Sequence, residues 1–222
     1  MWPRAITFDC YGTLVRWPET LRAVFDTLAP AGRGAEFHRD FGARHVELKD
    51  AGYRPYREVL RLALQGTMQH WGLAGVDAAY ARLMHDIASI PPYPEVVPVL
   101  RALAREYRLA IISNTEDALI ADTVRGLEVP LEVITAEQAR AFKPDHRLFA
   151  FAHARLGVGA AEVLHVGAGL ATDMLPAFEL GLARVWINRR GETADPAMRP
   201  DVELGDLSGL PAAVAGMQNA RR

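Results

Sequence analysis

The stretch "AITFDCYGTLV", residues 5–15, decides how the rest of this sequence is interpreted. Its apolar residues lead to a single acid, Asp9, which Gly12 and Thr13 follow closely. A short, continuous apolar run is typical of a strand buried on both faces. In an open parallel sheet, ligands bind outside the carboxyl ends of the strands. Asp9 is therefore the first candidate functional residue, although it could also cap the turn that follows it.

Composition excludes several classes of partner. The 222 residues suit one medium domain, or a domain that carries a smaller insertion. A net charge of −2 gives no field that would attract nucleic acid or an anionic membrane. The single cysteine, Cys10, allows no internal disulfide and fits a reducing compartment. Because the sequence shows neither signal-peptide features nor a membrane-length apolar stretch, we expect a cytoplasmic protein.

Short apolar runs alternate with helix-length segments in the second half of the chain. Three segments read as helices, at 115–127, 144–158 and 171–182, and the polar stretch 189–200 reads as a loop. This alternation predicts an α/β fold with a Rossmann-like parallel sheet core and helices on both faces. Besides 5–10, the predicted strands are 109–114, 131–136, 162–168, 183–189 and a short last one near 201–207.

Residues 16–90 differ from the rest because they contain no convincing strand. They predict amphipathic helices at 19–29, 36–50, 56–72 and 77–89. A segment of this length is too long for an ordinary connection between strands. We therefore predict an all-helical subdomain at 16–90, inserted into an α/β core formed by residues 1–15 and 91–222.

Polar side chains follow four of the predicted strands. Besides Asp9, these are Ser113 with Asn114, Lys143, and Asp173. Because the carboxyl ends of parallel strands share one edge of the sheet, we expect these side chains to converge. Each also has a purely structural interpretation. Ser113 and Asn114 could cap the next helix, and Lys143 could be a solvated loop residue. Asp173 could be an acid in the first turn of a helix, where the helix dipole stabilises a negative charge.

The ordered set "FDCYGTL", "IISNT", "FKPD" and "HVGAGLATD" resembles the four motifs of the haloacid dehalogenase superfamily. The helical insert resembles the cap domain that the superfamily places between its first two motifs. Tyr11 and "VWINRRG" (185–191) resemble the L-2-haloacid dehalogenase (type II) branch. The resemblance implies a hydrolase, and it also implies a homodimer.

Two positions argue against the phosphatase branch of the superfamily. That branch uses a second aspartate two residues after the nucleophile, and here that residue is Tyr11. It also binds magnesium through an acid in the fourth motif, where this chain has Ala168. A hard dication needs several oxygen ligands, prominently carboxylates. We therefore expect no metal and no cofactor, and phosphoryl transfer is the weaker interpretation.

The resemblance implies that Asp9 attacks the α-carbon of a short 2-haloacid and forms an ester. Water then releases a 2-hydroxyacid, with inversion at the α-carbon. Lys143 would keep Asp9 charged by ion pairing. Thr13 and Ser113 would position the carboxylates of Asp9 or the substrate, and Asp173 would orient or activate the water.

The remaining assignments concern the substrate pocket. Tyr11 would shape the pocket, and Asn114 resembles the residue that helps to receive the halide. A cap arginine assists halide departure in the family, for which Arg39 and Arg44 are candidates and Arg39 is preferred. Phe149 stands where the family has an aromatic hydroxyl. The expected partners are a small-molecule carboxylate and water. The alternatives are another hydrolase of the superfamily, such as a phosphatase or one acting on other small carboxylates, and a non-catalytic binding protein.

Overall fold

The computed structural model describes residues 2–194 and 199–221, so the predicted loop 189–200 lies partly outside the described residues. Six strands form a single sheet in the order β3-β2-β1-β4-β5-β6, and every neighbouring pair is parallel. The predicted strands are confirmed within three residues at each end. They are β1 Ala5–Phe8, β2 Arg108–Ser113, β3 Glu132–Thr135, β4 Val163–Gly167, β5 Ala183–Ile187 and β6 Val202–Leu204.

The centre of the sheet is buried on both faces. Every residue of β1 and β4 is buried, which explains why these strands read as continuous apolar runs. The chain builds β2 and β3 on one side of β1, and β4 to β6 on the other. This reversal of strand order opens a crevice at the carboxyl ends of β1 and β4, where α/β proteins bind ligands. The predicted fold class is confirmed.

Four helices occupy residues 16–90, as the sequence predicts. They are α1 Trp17–Leu28, α2 Gly34–Asp50, α3 Tyr56–His70 and α4 Val76–Ala88. We call them the helical insert. Aromatic rings pack inside it, with the ring centroid of Phe25 5.3 Å from that of Phe37 and 4.8 Å from that of Phe41. The division of the chain into two separate domains stays a prediction.

Six further helices follow the insert in the described residues. Three of them, α5, α7 and α10, are absent from the sequence-based prediction. No helix among these residues is long and apolar enough to cross a membrane. The six are α5 Val96–Leu103, α6 Asp117–Arg125, α7 Ala136–Ala139, α8 His146–Leu156, α9 Leu175–Glu179 and α10 Leu210–Ala220.

All three predicted helix starts in the core are wrong, and α6 begins at Asp117 rather than at Thr115. Helix α8 begins at His146 rather than at Pro144, because the Asp145 side chain caps it by accepting a hydrogen bond from the backbone N–H of Arg147 (2.8 Å). The segment 171–182 is not one regular helix. It opens with a π-helical turn, Leu170–Met174, before α9 begins. Such wide turns occur frequently at functional sites.

Arg189 ties the end of β5 to the turn after β1. Its guanidinium donates hydrogen bonds to the carbonyl of Thr13 (2.8 Å) and to Glu95 (2.6 Å), and it lies 3.6 Å from the ring centroid of Tyr93. The Arg189 and Glu95 side chains are only 14% and 17% exposed. When one partner of such a buried ion pair is removed, the charge of the other partner stays buried without compensation.

We predict that Arg189→Met lowers the free energy of unfolding by about 2–4 kcal/mol, because it leaves the Glu95 carboxylate unpaired. Urea denaturation measures the change. Arg101→Met is the matched control, since Arg101 pairs with Glu128 on the surface, where such pairs contribute about 0–1 kcal/mol. Equal losses in the two variants would contradict a structural role for the buried pair.

Candidate active site

A cavity of about 150 Å³ lies where the carboxyl ends of the central strands meet the helical insert. Six of the eight predicted site residues line it, so the expected convergence of strand ends does occur. The lining residues are Asp9, Tyr11, Trp17, His45, Lys49, Tyr56, Ser113, Asn114, Lys143, Gly169, Thr172 and Asp173.

The Lys143 ammonium is the centre of the site. It lies 2.8 Å from Asp9 Oδ1 and 2.6 Å from Asp173 Oδ1, and it also donates to the Ile112 carbonyl (3.0 Å). An ammonium has three donors, so all of them are used. The alternative of a solvated loop lysine is wrong, because only 1% of this side chain is exposed.

Burial and pairing shift the three ionisable groups in different directions. Burial opposes the charged form of Lys143, but the charges of Asp173 and Asp9 outweigh it and raise its pKa. Burial alone would raise the pKa of Asp173, yet the Lys143 charge and a hydrogen bond from His165 hold it well below its usual range. Burial raises the pKa of Asp9, and the Lys143 charge opposes that shift.

Thr13 fixes the second oxygen of Asp9. Its hydroxyl donates to Asp9 Oδ2 (2.7 Å) and accepts a hydrogen bond from the backbone N–H of Ala168 (2.9 Å). The hydroxyl therefore connects the turn after β1 to the turn after β4. Because Lys143 holds the first oxygen, both oxygens of Asp9 have a defined partner.

The two polar residues after β2 differ in how their side chains are used. The Asn114 amide donates to the Lys143 carbonyl (3.0 Å) and accepts from the Lys143 N–H (2.6 Å), so it positions the loop that carries the lysine. Asn114 also lines the cavity, and the halide contact that the resemblance implies for it stays a prediction. The Ser113 hydroxyl is buried and has no hydrogen-bond partner among the described residues. It is therefore available to a ligand.

Asp173 folds back over the backbone of the turn after β4. Its Oδ2 accepts a hydrogen bond from the N–H of Gly169 (3.0 Å). A β-carbon at Gly169 would lie 2.1 Å from Thr172 Oγ1, and one at Gly167 would lie 2.6 Å from Asp173 Cβ. Glycine is therefore required at both positions. This close approach explains why the turn offers backbone N–H groups and no polar side chains there.

The site residues do not suit magnesium. Asp9 and Asp173 already bind the Lys143 ammonium, and the acid positions of the phosphatase branch carry Tyr11 and Ala168. Magnesium demands near-octahedral oxygen coordination. Within 2–194 and 199–221, no group of three or more His, Cys, Asp or Glu side chains could hold a metal ion.

Tyr11 contributes to the wall of the cavity. Its hydroxyl contacts the Thr123 hydroxyl (3.3 Å), and its ring packs against Trp17 with centroids 5.0 Å apart. Burial raises the pKa of Tyr11, so its phenol stays protonated. Together with Trp17 and Gly169, Tyr11 also lines an adjoining cavity of about 470 Å³. We call the Tyr11 and Trp17 rings the partition.

The helical insert contributes residues that sequence analysis missed, namely His45, Lys49 and Tyr56. Nε2 of His45 lies 3.0 Å from the Tyr56 hydroxyl. Burial lowers the pKa of His45 to about 3 and raises that of Tyr56, so both are uncharged at neutral pH. His45 and Lys49 are four residues apart on α2, a spacing that places them on one helix face.

The structure does not bring the two candidate arginines to this cavity. Arg39 lines a separate cavity of about 350 Å³ with Trp71, and the Arg44 guanidinium donates to the Asp40 carbonyl (3.2 Å). At about 100° per residue, positions 39 and 44 lie about 120° and 100° around α2 from His45. Helix rotation therefore removes both from the face that meets Asp9.

Phe149 occupies the position where the resemblance suggests an aromatic hydroxyl. It is fully buried and packs edge-on against the His165 ring, with centroids 5.3 Å apart. His165 in turn lies 3.4 Å from Asp173 Oδ1 and 2.9 Å from the Thr7 hydroxyl. Neither Phe149 nor His165 lines the cavity. Their contacts therefore hold Asp173 from outside the space that a substrate would occupy.

Comparison with known proteins places the chain in a family. A family model described as haloacid dehalogenase-like hydrolase matches residues 3–181. An (S)-2-haloacid dehalogenase of Pseudomonas putida is 28% identical over 201 residues, covering 86% of this chain and 87% of the relative. The crystal structure of the L-2-haloacid dehalogenase RSc1362 superposes with a TM-score of 0.88 at 27% identity, covering 97% of this chain and all of the other.

One relative has a different activity in its name. A glyceraldehyde 3-phosphate phosphatase of Methanopyrus kandleri is 29% identical over 209 residues, covering 83% of this chain and 89% of the relative. The family match spans most of the chain, from the first strand to the end of α9 and its following turn. This protein is therefore a hydrolase that belongs to the haloacid dehalogenase-like family.

Proposed function

We propose that this protein is a metal-independent hydrolytic dehalogenase that converts short 2-haloacids into 2-hydroxyacids. One observation carries the proposal: Asp9 is held by Lys143 and Thr13, while Tyr11 and Ala168 stand where a phosphatase needs acids. The names of the dehalogenase relatives support it. A cytoplasmic location and a homodimer remain predictions.

The first step displaces the halide. An Asp9 oxygen donates a lone pair to the α-carbon, and the carbon–halogen bond breaks with its electron pair leaving on the halide. The product of this step is an ester of Asp9. A carboxylate needs no base to act as a nucleophile, provided that it is ionised. Pairing with Lys143 favours that form, and the Thr13 hydrogen bond fixes its orientation.

The second step hydrolyses the ester. Water attacks the carbonyl carbon of Asp9, the alkoxide leaves, and one proton of the water passes to the alkoxide oxygen, while Asp173 orients the water. The lowered pKa of Asp173 keeps it as an anion that accepts a hydrogen bond from the water. Over one cycle, haloacid and water yield hydroxyacid, halide and one proton. The unpartnered Ser113 hydroxyl is our candidate for holding the substrate.

Phosphate-ester hydrolysis is the second candidate, because one relative is named as a phosphatase. That reaction places several negative charges on the transferred group, and enzymes neutralise them with metal ions or arginines. The two carboxylates that could bind a metal here are both engaged by Lys143. A non-catalytic binding role is less well supported, since it gives no reason for a positioned carboxylate in a cavity.

Halide release should distinguish these activities. We predict that the protein releases chloride from 2-chloropropionate at a rate that EDTA does not change, and that Asp9→Asn lowers this rate by at least about 10³. Ion chromatography measures chloride, and phosphate release from phosphate monoesters is followed beside it. Magnesium-dependent phosphate release without chloride release would overturn the dehalogenase proposal.

Oxygen-18 water tests the ester. After many turnovers, we predict that the Asp9 peptide carries the label, because each hydrolysis replaces one oxygen of the carboxylate. In a single turnover, the hydroxyacid should instead carry unlabelled oxygen from Asp9. Mass spectrometry measures both. Direct attack of water on the substrate predicts the reverse pattern, with labelled product and an unlabelled peptide.

The pH dependence of kcat/KM should report the ionisation of Asp9. Only the carboxylate attacks, so activity falls as the pH falls through the pKa of Asp9, which burial raises. We predict that Thr13→Val moves this acid limb to higher pH, because the Thr13 hydrogen bond lowers that pKa. Thr123→Val, which removes a hydroxyl that contacts Tyr11, is the control and should leave the limb in place. An unmoved limb in Thr13→Val would exclude Asp9 as its source.

A further inference from the structure

A second ammonium reaches the Asp9 cavity from the helical insert. Lys49 lies near the end of α2 and lines this cavity opposite the strand ends of the core. The 25 basic residues of the chain include only two lysines, Lys49 and Lys143, and both line the same cavity. Everywhere else the chain uses arginine, whose planar fork is larger than a compact ammonium.

The two ammonium groups differ in how many carboxylates contact them. Two carboxylates compensate Lys143, whereas Lys49 forms no hydrogen bond or ion pair with any residue that the structure describes. Burial lowers the pKa of Lys49, and the charge of Lys143 lowers it further, with only partial compensation from acids such as Asp50. Its charge is therefore only partly compensated until an anion arrives.

The charges around the cavity determine what an anionic substrate meets there. Asp9, Asp173 and Lys143 together carry one negative charge, which would repel an entering carboxylate. The other polar residues of the insert in this cavity, His45 and Tyr56, are uncharged at neutral pH. Among the described residues that line the cavity, only Lys49 adds a positive charge that offsets this repulsion.

Lys49 also borders a second cleft. Both lysines line this cleft of about 530 Å³, which is adjacent to the Asp9 cavity, with Tyr53 and Phe142 among its other residues. The Lys49 side chain therefore contributes to the walls of both spaces.

We propose that Lys49 binds the carboxylate of the substrate and restricts the site to anionic substrates. The reaction that follows rests on the proposed function, but the binding does not. A substrate carboxylate is charged before, during and after displacement of the halide. Lys49 therefore stabilises the bound substrate and the transition state about equally, and its loss should raise KM with little change in kcat.

Kinetics on three variants test this assignment. We expect Lys49→Met to raise KM for 2-chloropropionate at least about tenfold, to the same extent for 2-bromopropionate, with kcat within about twofold. Lys49→Arg keeps the charge and should recover part of the loss. Arg82→Met, which removes an exposed cation of α4 paired with Asp86, is the control and should match the wild type. Thermal unfolding of each variant identifies any loss that comes from misfolding.

Calorimetric titration with two unreactive ligands separates this inference from the proposed function. We expect propionate to bind the wild type more tightly than propionamide, its uncharged analogue, and Lys49→Met to remove most of that difference. If the wild type releases no halide yet shows this pattern, the dehalogenase proposal fails and the role of Lys49 stands. Equal propionate affinity in the wild type and Lys49→Met, or no saturable propionate binding, would overturn the role of Lys49.

A different kinetic pattern would assign Lys49 to the leaving group. In that case Lys49→Met would leave KM unchanged and lower kcat, and the loss would be larger for chloride than for bromide, because chloride leaves less readily. This result would also overturn the proposed carboxylate contact.

Discussion

The Lys143 ammonium links the parts of the chain on which the site depends. It projects from the segment after β3 and pairs with Asp9 at the end of β1 and with Asp173 beyond β4. Two buried carboxylates this close to each other would repel strongly without a cation between them. Asn114 positions the lysine backbone, and Thr13 connects Asp9 to the turn after β4. Four segments distant in the sequence therefore hold one carboxylate.

The sheet and its reactive edge could be predicted because both follow from simple constraints. A strand covered on both faces must be apolar throughout, and a polar residue at its carboxyl end stands out from that background. Parallel strands then place those residues at one edge. Asp9, Ser113, Lys143 and Asp173 were found by this route. Neither step needs knowledge of how distant helices pack.

The contribution of the helical insert could not be predicted by the same route. Which face of α2 meets Asp9 depends on how the helix rotates against α1 and α3, and its apolar pattern leaves that rotation open. The chemical type of residue, a cation, was anticipated in Arg39 and Arg44, but the residue that lines the cavity is Lys49. The π-helical turn before α9 was missed too, because the contact that shapes it, between Asp173 and the backbone of Gly169, leaves no periodic pattern in the sequence.

The partition formed by the Tyr11 and Trp17 rings has a consequence for how the reactive chamber could change. The same two side chains border a space of about 150 Å³ on one side and a space of about 470 Å³ on the other. The boundary between the two spaces is thus made of two aromatic rings together with the backbone of Gly169. The Trp17 ring extends from the first residue of α1, so its truncation would disturb neither the sheet nor the lysine that holds Asp9. The volume of this cavity can therefore be altered without changing the residues that hold Asp9.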